Sequence, residues 1–191
     1  MSDWDYIYNG LERPIKLRTY HPGYDDPREE RFIVKFENLD KEIREISDIA
    51  IDTISRYGED ICEDYDIVGI LSNSLNNPNR HNIFMEWDNL EPVEADSLIE
   101  GLSSLPGIIS VTGGGIHYLE KASITMDELV EKMKRFNCCQ GYISYSCSRM
   151  HACLRVSPKP DNDIIIVKDA HGPLYDIYKK LVGSFKKELI F

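Results

Sequence analysis

With 191 residues, 42% of them hydrophobic and 29% charged, the chain has the size and composition of one folded domain rather than of a disordered or fibrous segment. Its formal net charge of −11 argues against a general polyanion binder, and no apolar run approaches the length of a membrane span. The start of the chain has no basic stretch leading into an apolar one, so no secretory leader is expected and the protein reads as cytoplasmic.

Residues 1–30 are rich in turn formers (Pro14, Pro22, Gly23, Asp25, Asp26, Pro27) and predict an irregular N-terminal arm ahead of a single domain over 31–191. A strand is predicted over 32–36. A helix over 40–57 follows from the spacing of Ile43, Ile46, Ile49, Ala50 and Ile54, and Gly58 closes it. A strand over 66–71, a polar loop over 72–79 and a strand over 81–88 come next. A helix over 92–105 ends at Pro106 and Gly107. Strands over 108–111 and 116–119 flank a glycine turn. Thr125 with Glu128 three residues on is a capping box opening a helix to about 136. Strands are predicted over 141–146, 150–156 and 164–167, with a turn over 158–163 and a closing amphipathic helix over 174–189. Strands outnumber helices and the connections are short. This implies an α+β fold, a mostly antiparallel sheet with helices packed on one face, the other face being left to carry a site.

Three stretches carry candidate chemistry. In the strand over 81–88, Glu86 and Asp88 are two apart and share a face, while Met85 and Trp87 take the other. Neighbouring carboxylates repel, and a pair of them suits Mg²⁺ or Mn²⁺; a solvated strand end reads equally from the spacing. Gly113, Gly114 and Gly115 precede His117. Such a turn lets backbone N–H groups approach a phosphate, and it also makes a plain tight hairpin; without a following Lys-Ser/Thr it is not a Walker-type loop. Over 149–157, Met150, Ala152, Leu154 and Val156 alternate with Arg149, His151, Cys153 and Arg155, so one face is apolar and the other cationic. Lys159 follows between two prolines. Although the whole chain is acidic, its C-terminal quarter is net basic, so phosphate contacts are expected there.

Four of the five cysteines crowd between Cys138 and Cys153. Their spacing matches no common zinc framework. They are expected to be reduced thiols without zinc.

The order of acid-x-acid strand, glycine turn with histidine, then basic strand resembles the catalytic core of the archaeo-eukaryotic primase superfamily, which includes plasmid and phage primase-polymerases. The likeness spans about residues 80–170. It implies a primase- or RRM-like core in which Glu86 and Asp88 bind catalytic Mg²⁺ or Mn²⁺. His117, in Gly113-Gly114-Gly115-Ile116-His117, would contact the phosphates of an incoming nucleotide. The segment Leu154 to Pro160, with Arg155 and Lys159, is similar to the arginine–lysine segment of small uncharacterised prokaryotic and phage proteins of this layout. The family carries a third acidic residue on a later strand; the stretch over 141–146 has none, and Asp163 and Asp169 stand elsewhere. The resemblance implies a primase-like nucleotidyltransferase of DNA replication, or a catalytically reduced relative that binds a nucleotide or a nucleic-acid end. The alternative is a non-enzymatic interaction protein of a virus or mobile element, docking a basic partner on its acidic surface. Convergence of the acids with the basic strand on one face is the feature that separates the two.

Overall fold

The β-branched and aromatic runs become strands, and every strand pairing among the described residues is antiparallel. The computed structural model describes residues 15–20, 31–33, 67–74, 79–156 and 163–186. In chain order these form β1 (Ile15–Tyr20), β2 (Arg31–Ile33), β3 (Ile67–Ser74), β4 (His81–Asp88), α1 (Pro92–Leu102), β5 (Ile108–Thr112), β6 (Gly115–Ile124), α2 (Met126–Arg135), α3 (Gln140–Arg149), β7 (Cys153–Arg155), β8 (Ile164–Lys168) and α4 (Pro173–Lys186). The protein is α+β. Among the described residues eight strands form one sheet in the order β2-β1-β3-β4-β6-β5-β8, with β7 paired to β3 off that path. No helix among the described residues is long and apolar enough to cross a membrane.

The sheet contains a fork. β3 and β4 pair only at Asn73 and His81, and beyond that point they part. The edge of β3 freed in this way pairs with β7 instead, Gly69 with Arg155, Ile70 with Leu154 and Leu71 with Cys153. Buried Ser72 locks the junction. Its N–H donates to the Ala152 carbonyl at 2.9 Å, its Oγ accepts the Ala152 N–H at 3.0 Å, and the same Oγ is hydrogen-bonded to His81 Nδ1 at 2.9 Å.

Directly paired residues of antiparallel strands point to the same face. Glu86, His117 and Ser110 therefore line one face, and Trp87, Ile116 and Val111 the other. On the first face lies α4, whose Tyr178 hydroxyl is hydrogen-bonded to Ser110 Oγ at 2.7 Å. On the second, Trp87 Nε1 donates to the Phe136 carbonyl at the end of α2 at 2.9 Å. Helices are thus divided between the two faces, where a single covered face was expected. The reason lies in the last connection: the chain leaves β8 and reverses through Gly172, at φ 132°, to lay α4 back across the strands.

Local sequence accounts for most boundaries. Pro92 opens α1 behind a capping box of Glu91 and Glu94, and Ser103 closes it. At α2 the Glu128 N–H donates to Thr125 Oγ1 at 3.3 Å, while the Thr125 N–H donates to Glu128 Oε2 at 2.7 Å. Leu129 and Met133 then point into the core. Three readings are corrected. Residues 15–20, expected in an irregular arm, form β1 and pair with β3. The stretch over 141–146 is not a strand but part of helix α3, which buries Ile143 and Ser146 three residues apart. Of the strand expected over 150–156 only β7 is extended, because Met150 ends α3 in the left-handed region (φ 56°) with 62% of its surface exposed. The helix expected over 40–57, most of the strand over 32–36 and the turn over 158–163 fall largely or wholly outside the described residues.

Replacing the α2 cap, Thr125→Ala, is expected to cost about 1 kcal/mol by orphaning the Glu128 N–H. Urea unfolding reads this as a lower midpoint at unchanged slope, and an unchanged midpoint would refute the cap's role.

Candidate functional site

One polar row runs across the strands beneath α4. Glu86 on β4 faces His117 on β6, which faces Ser110 on β5. His117 Nε2 stands 3.5 Å from Glu86 Oε1. The histidine is only 2% exposed, and its Nδ1 has no hydrogen-bond partner among the described residues. A buried ring nitrogen left in this state is costly, and a water or ligand atom there would relieve it.

Tyr178 caps the row from α4. Burial, first of all, pushes its phenol up to about 12; the Glu86 charge adds to this, while the Ser110 hydrogen bond and the Arg155 charge act the other way. Both Glu86 and Arg155 are therefore close enough to Tyr178 to be felt by it. Arg155 comes from β7, the strand inserted at the fork, and is itself buried. The acid of the Glu86–His117 pair and an arginine from a third strand thus both act on one buried phenol. Asp88, two residues beyond Glu86 on the same side of β4, is exposed, whereas Glu86 keeps 24% of its side chain accessible. The row reaches solvent at this carboxylate end.

The glycine turn is the tip of the β5–β6 hairpin. Thr112 pairs with Gly115, Gly113 and Gly114 are exposed, and the Asn89 N–H donates to the Gly114 carbonyl at 2.8 Å. At Gly115 a Cβ would stand 2.2 Å from the Trp87 carbonyl oxygen and 2.8 Å from Asp88 Oδ1. Glycine is required there by the approach of β4, and that approach brings the turn against the outer carboxylate.

The expected cationic face over 149–157 does not hold together. Arg149 ends α3 with its guanidinium 4.7 Å from the centre of the Tyr145 ring. His151 lies buried after the helix, and Cys153 is half-buried. The alternation fails because Arg149 still belongs to α3 and Met150 turns the chain through the left-handed region before β7 begins. Of the expected site residues the fold brings together Glu86, His117 and Arg155, with Asp88 at the rim. Lys159 lies outside the described residues. Asp163 is exposed ahead of β8, and Asp169 is held by Lys179 Nζ at 3.0 Å.

Two members of the row escaped sequence reasoning. Ser110 interrupts the apolar run Ile108–Thr112, and that one polar residue in a buried strand was its signal. Tyr178 looked like one more apolar position on the last helix, and nothing local set it apart.

Among the described residues no group of three or more His, Cys, Asp and Glu side chains gathers as a metal set. Glu86 and Asp88 alone offer two carboxylates, enough for a Mg²⁺ or Mn²⁺ whose remaining positions are taken by water and ligand phosphates. No disulfide joins Cys138, Cys139, Cys147 and Cys153, and burial pushes the Cys138 thiol up to about 12. Comparison with family models, with curated proteins and with solved structures finds no match for this chain.

Because the folded phenol of Tyr178 is raised to about 12 from an ordinary 10.0, the unfolded chain gives up that proton first and stability falls as pH rises between these values. Wild type is expected to lose roughly 2–3 kcal/mol more than Tyr178→Phe over that window. Urea unfolding at mildly and strongly alkaline pH measures the difference, and parallel losses in the two proteins would contradict the burial of this hydroxyl.

Proposed function

We propose that the protein binds a nucleotide or a nucleic-acid end with the help of a divalent cation, as a catalytically reduced relative of primase-like nucleotidyltransferases. One observation carries this reading: Glu86 of β4 faces buried His117 of β6, Tyr178 beside that row feels the charges of both Glu86 and the buried Arg155 of β7, and Asp88 stands at the open end. Glu86 and Asp88 would supply oxygen ligands to Mg²⁺ or Mn²⁺, and the cation would screen phosphate charge. Arg155 and His117 would neutralise the phosphate from behind, where low polarity strengthens each contact. The unpartnered His117 Nδ1 is a natural place for a ligand atom or a bridging water.

The reading is a reduced activity, not a full polymerase, for a chemical reason. Two-metal phosphoryl transfer places cations on both the attacking and the leaving oxygen and needs carboxylates to hold both. The row has two acids, the position of the family's third acid falls in helix α3, and Asp169 is engaged by Lys179. A second reading, an acidic surface that docks a basic protein, is favoured by α1, which exposes Glu94, Asp96 and Glu100 beside a largely exposed Val93.

Calorimetric titration with Mn²⁺, with and without a nucleoside triphosphate, separates the two. The expected result is one saturable Mn²⁺ site that tightens with triphosphate and that Asp88→Asn removes. Equal and weak binding by both proteins would overturn the nucleotide reading in favour of the acidic surface.

A further inference from the structure

Residues 132–160 contain six Lys/Arg and no Asp or Glu, in a chain that has 33 acids. The fold puts most of that stretch into α2, α3 and β7. Lys132, Lys134 and Arg135 are exposed in the last turn of α2. On α3 the exposed positions Ser144, Tyr145, Cys147 and Ser148 carry no charge. Cations flank this uncharged strip. Lys134 lies near enough to Cys147 for the two to interact electrostatically, and Arg149 on the other flank covers the Tyr145 ring, which is 48% exposed. Glu131 pairs with Lys134 at 2.9 Å, and since both side chains are exposed a phosphate can compete for that lysine.

We propose that the α2–α3 surface is a track for single-stranded nucleic acid. Phosphates would sit on Lys134, Arg149 and the cations of the α2 terminus, and a base would stack on the Tyr145–Arg149 pair. A phenol ring and a guanidinium plane accept any base by stacking, and neutral small side chains between flanking cations leave room for the sugar-phosphate backbone. The charge pattern points to the partner: in a protein this acidic, a stretch with six cations and no acid from Lys132 to Pro160 favours a polyanion. The track also leads to the site described above. The Cys139 N–H, at the start of α3, donates to the Glu86 carbonyl at 3.0 Å, which anchors that end of α3 to β4 at the residue whose carboxylate the site uses. The track extends the nucleic-acid-end reading but rests on different residues.

Fluorescence anisotropy of the full chain with a labelled oligothymidylate of about ten nucleotides, in buffer free of divalent cations, tests it. About three phosphate contacts on a single strand predict a slope near −2 for log affinity against log salt. Tyr145→Ala is expected to weaken binding about tenfold and Lys134→Ala to weaken it less with a shallower slope. Lys121→Ala, exposed on β6, should bind as wild type does, and because the buffer holds no divalent cation the assay reads the track apart from the Mn²⁺ site. An abasic strand of equal length should bind about tenfold more weakly than the oligothymidylate. Wild-type affinity in Tyr145→Ala, equal affinity for the abasic strand or for polyglutamate, or no binding at low salt would each overturn the proposal.

Discussion

The site depends on the parting of β3 from β4. A sheet that stayed zipped along both strands would have no place for β7, and Arg155 would be a surface arginine on a loop. Ser72 sets where the parting happens. Its partners are His81, which opens β4, and Ala152, which immediately precedes β7, the two strands that compete for the same edge, and its hydroxyl touches both. All of these groups are buried, so each hydrogen bond is made where an unmade one is expensive. The three-residue β7 gains its position from this junction more than from its own short ladder.

The fork brings Arg155 to a fold that already carries a line of polar side chains across β4, β6 and β5 in an otherwise apolar layer. Phe84, Leu119 and Leu154 lie on the same strands as Glu86, His117 and Arg155, and they are fully buried. Removing a guanidinium, an imidazole and a carboxylate from water is costly for each alone, and is tolerated when they face one another or a ligand. Tyr178 adds a hydroxyl that stays protonated at neutral pH and ties α4 to β5 through Ser110. The exposed end at Asp88 sits beside the β5–β6 turn, where glycine at 115 allows the two backbones to close up.

Charge is sorted over the molecule in the same pattern. α1 carries exposed acids, whereas the stretch from α2 to β7 carries none after Glu131. A net charge of −11 therefore describes the average and not the surface that meets a partner. Local complementarity of this kind sets which ligand is tolerated and in what orientation, while the surrounding negative field discourages non-specific polyanion binding.

The sequence by itself determined the local elements whose signals are short-range. The capping box at Thr125 and Glu128, the alternation through His81–Asp88, the hairpin glycines and the break after α1 each follow from neighbours within a few residues. It also placed Glu86 and Asp88 on one side of β4, since a strand's period of two leaves no other choice. Only the tertiary structure decided what those acids meet. α3 is a helix although its Tyr and Ile residues favour a strand, and its start is tied to β4 by the Cys139 N–H donating to the Glu86 carbonyl, some fifty residues away. Arg149 and Arg155, one alternation in the linear pattern, were separated for the same reason, one stacked on Tyr145 at a helix end and the other drawn under Tyr178. Periodicity records which side of an element is apolar. Which strand claims an edge is settled by the pairing of buried backbone groups, and those partners are distant in the chain.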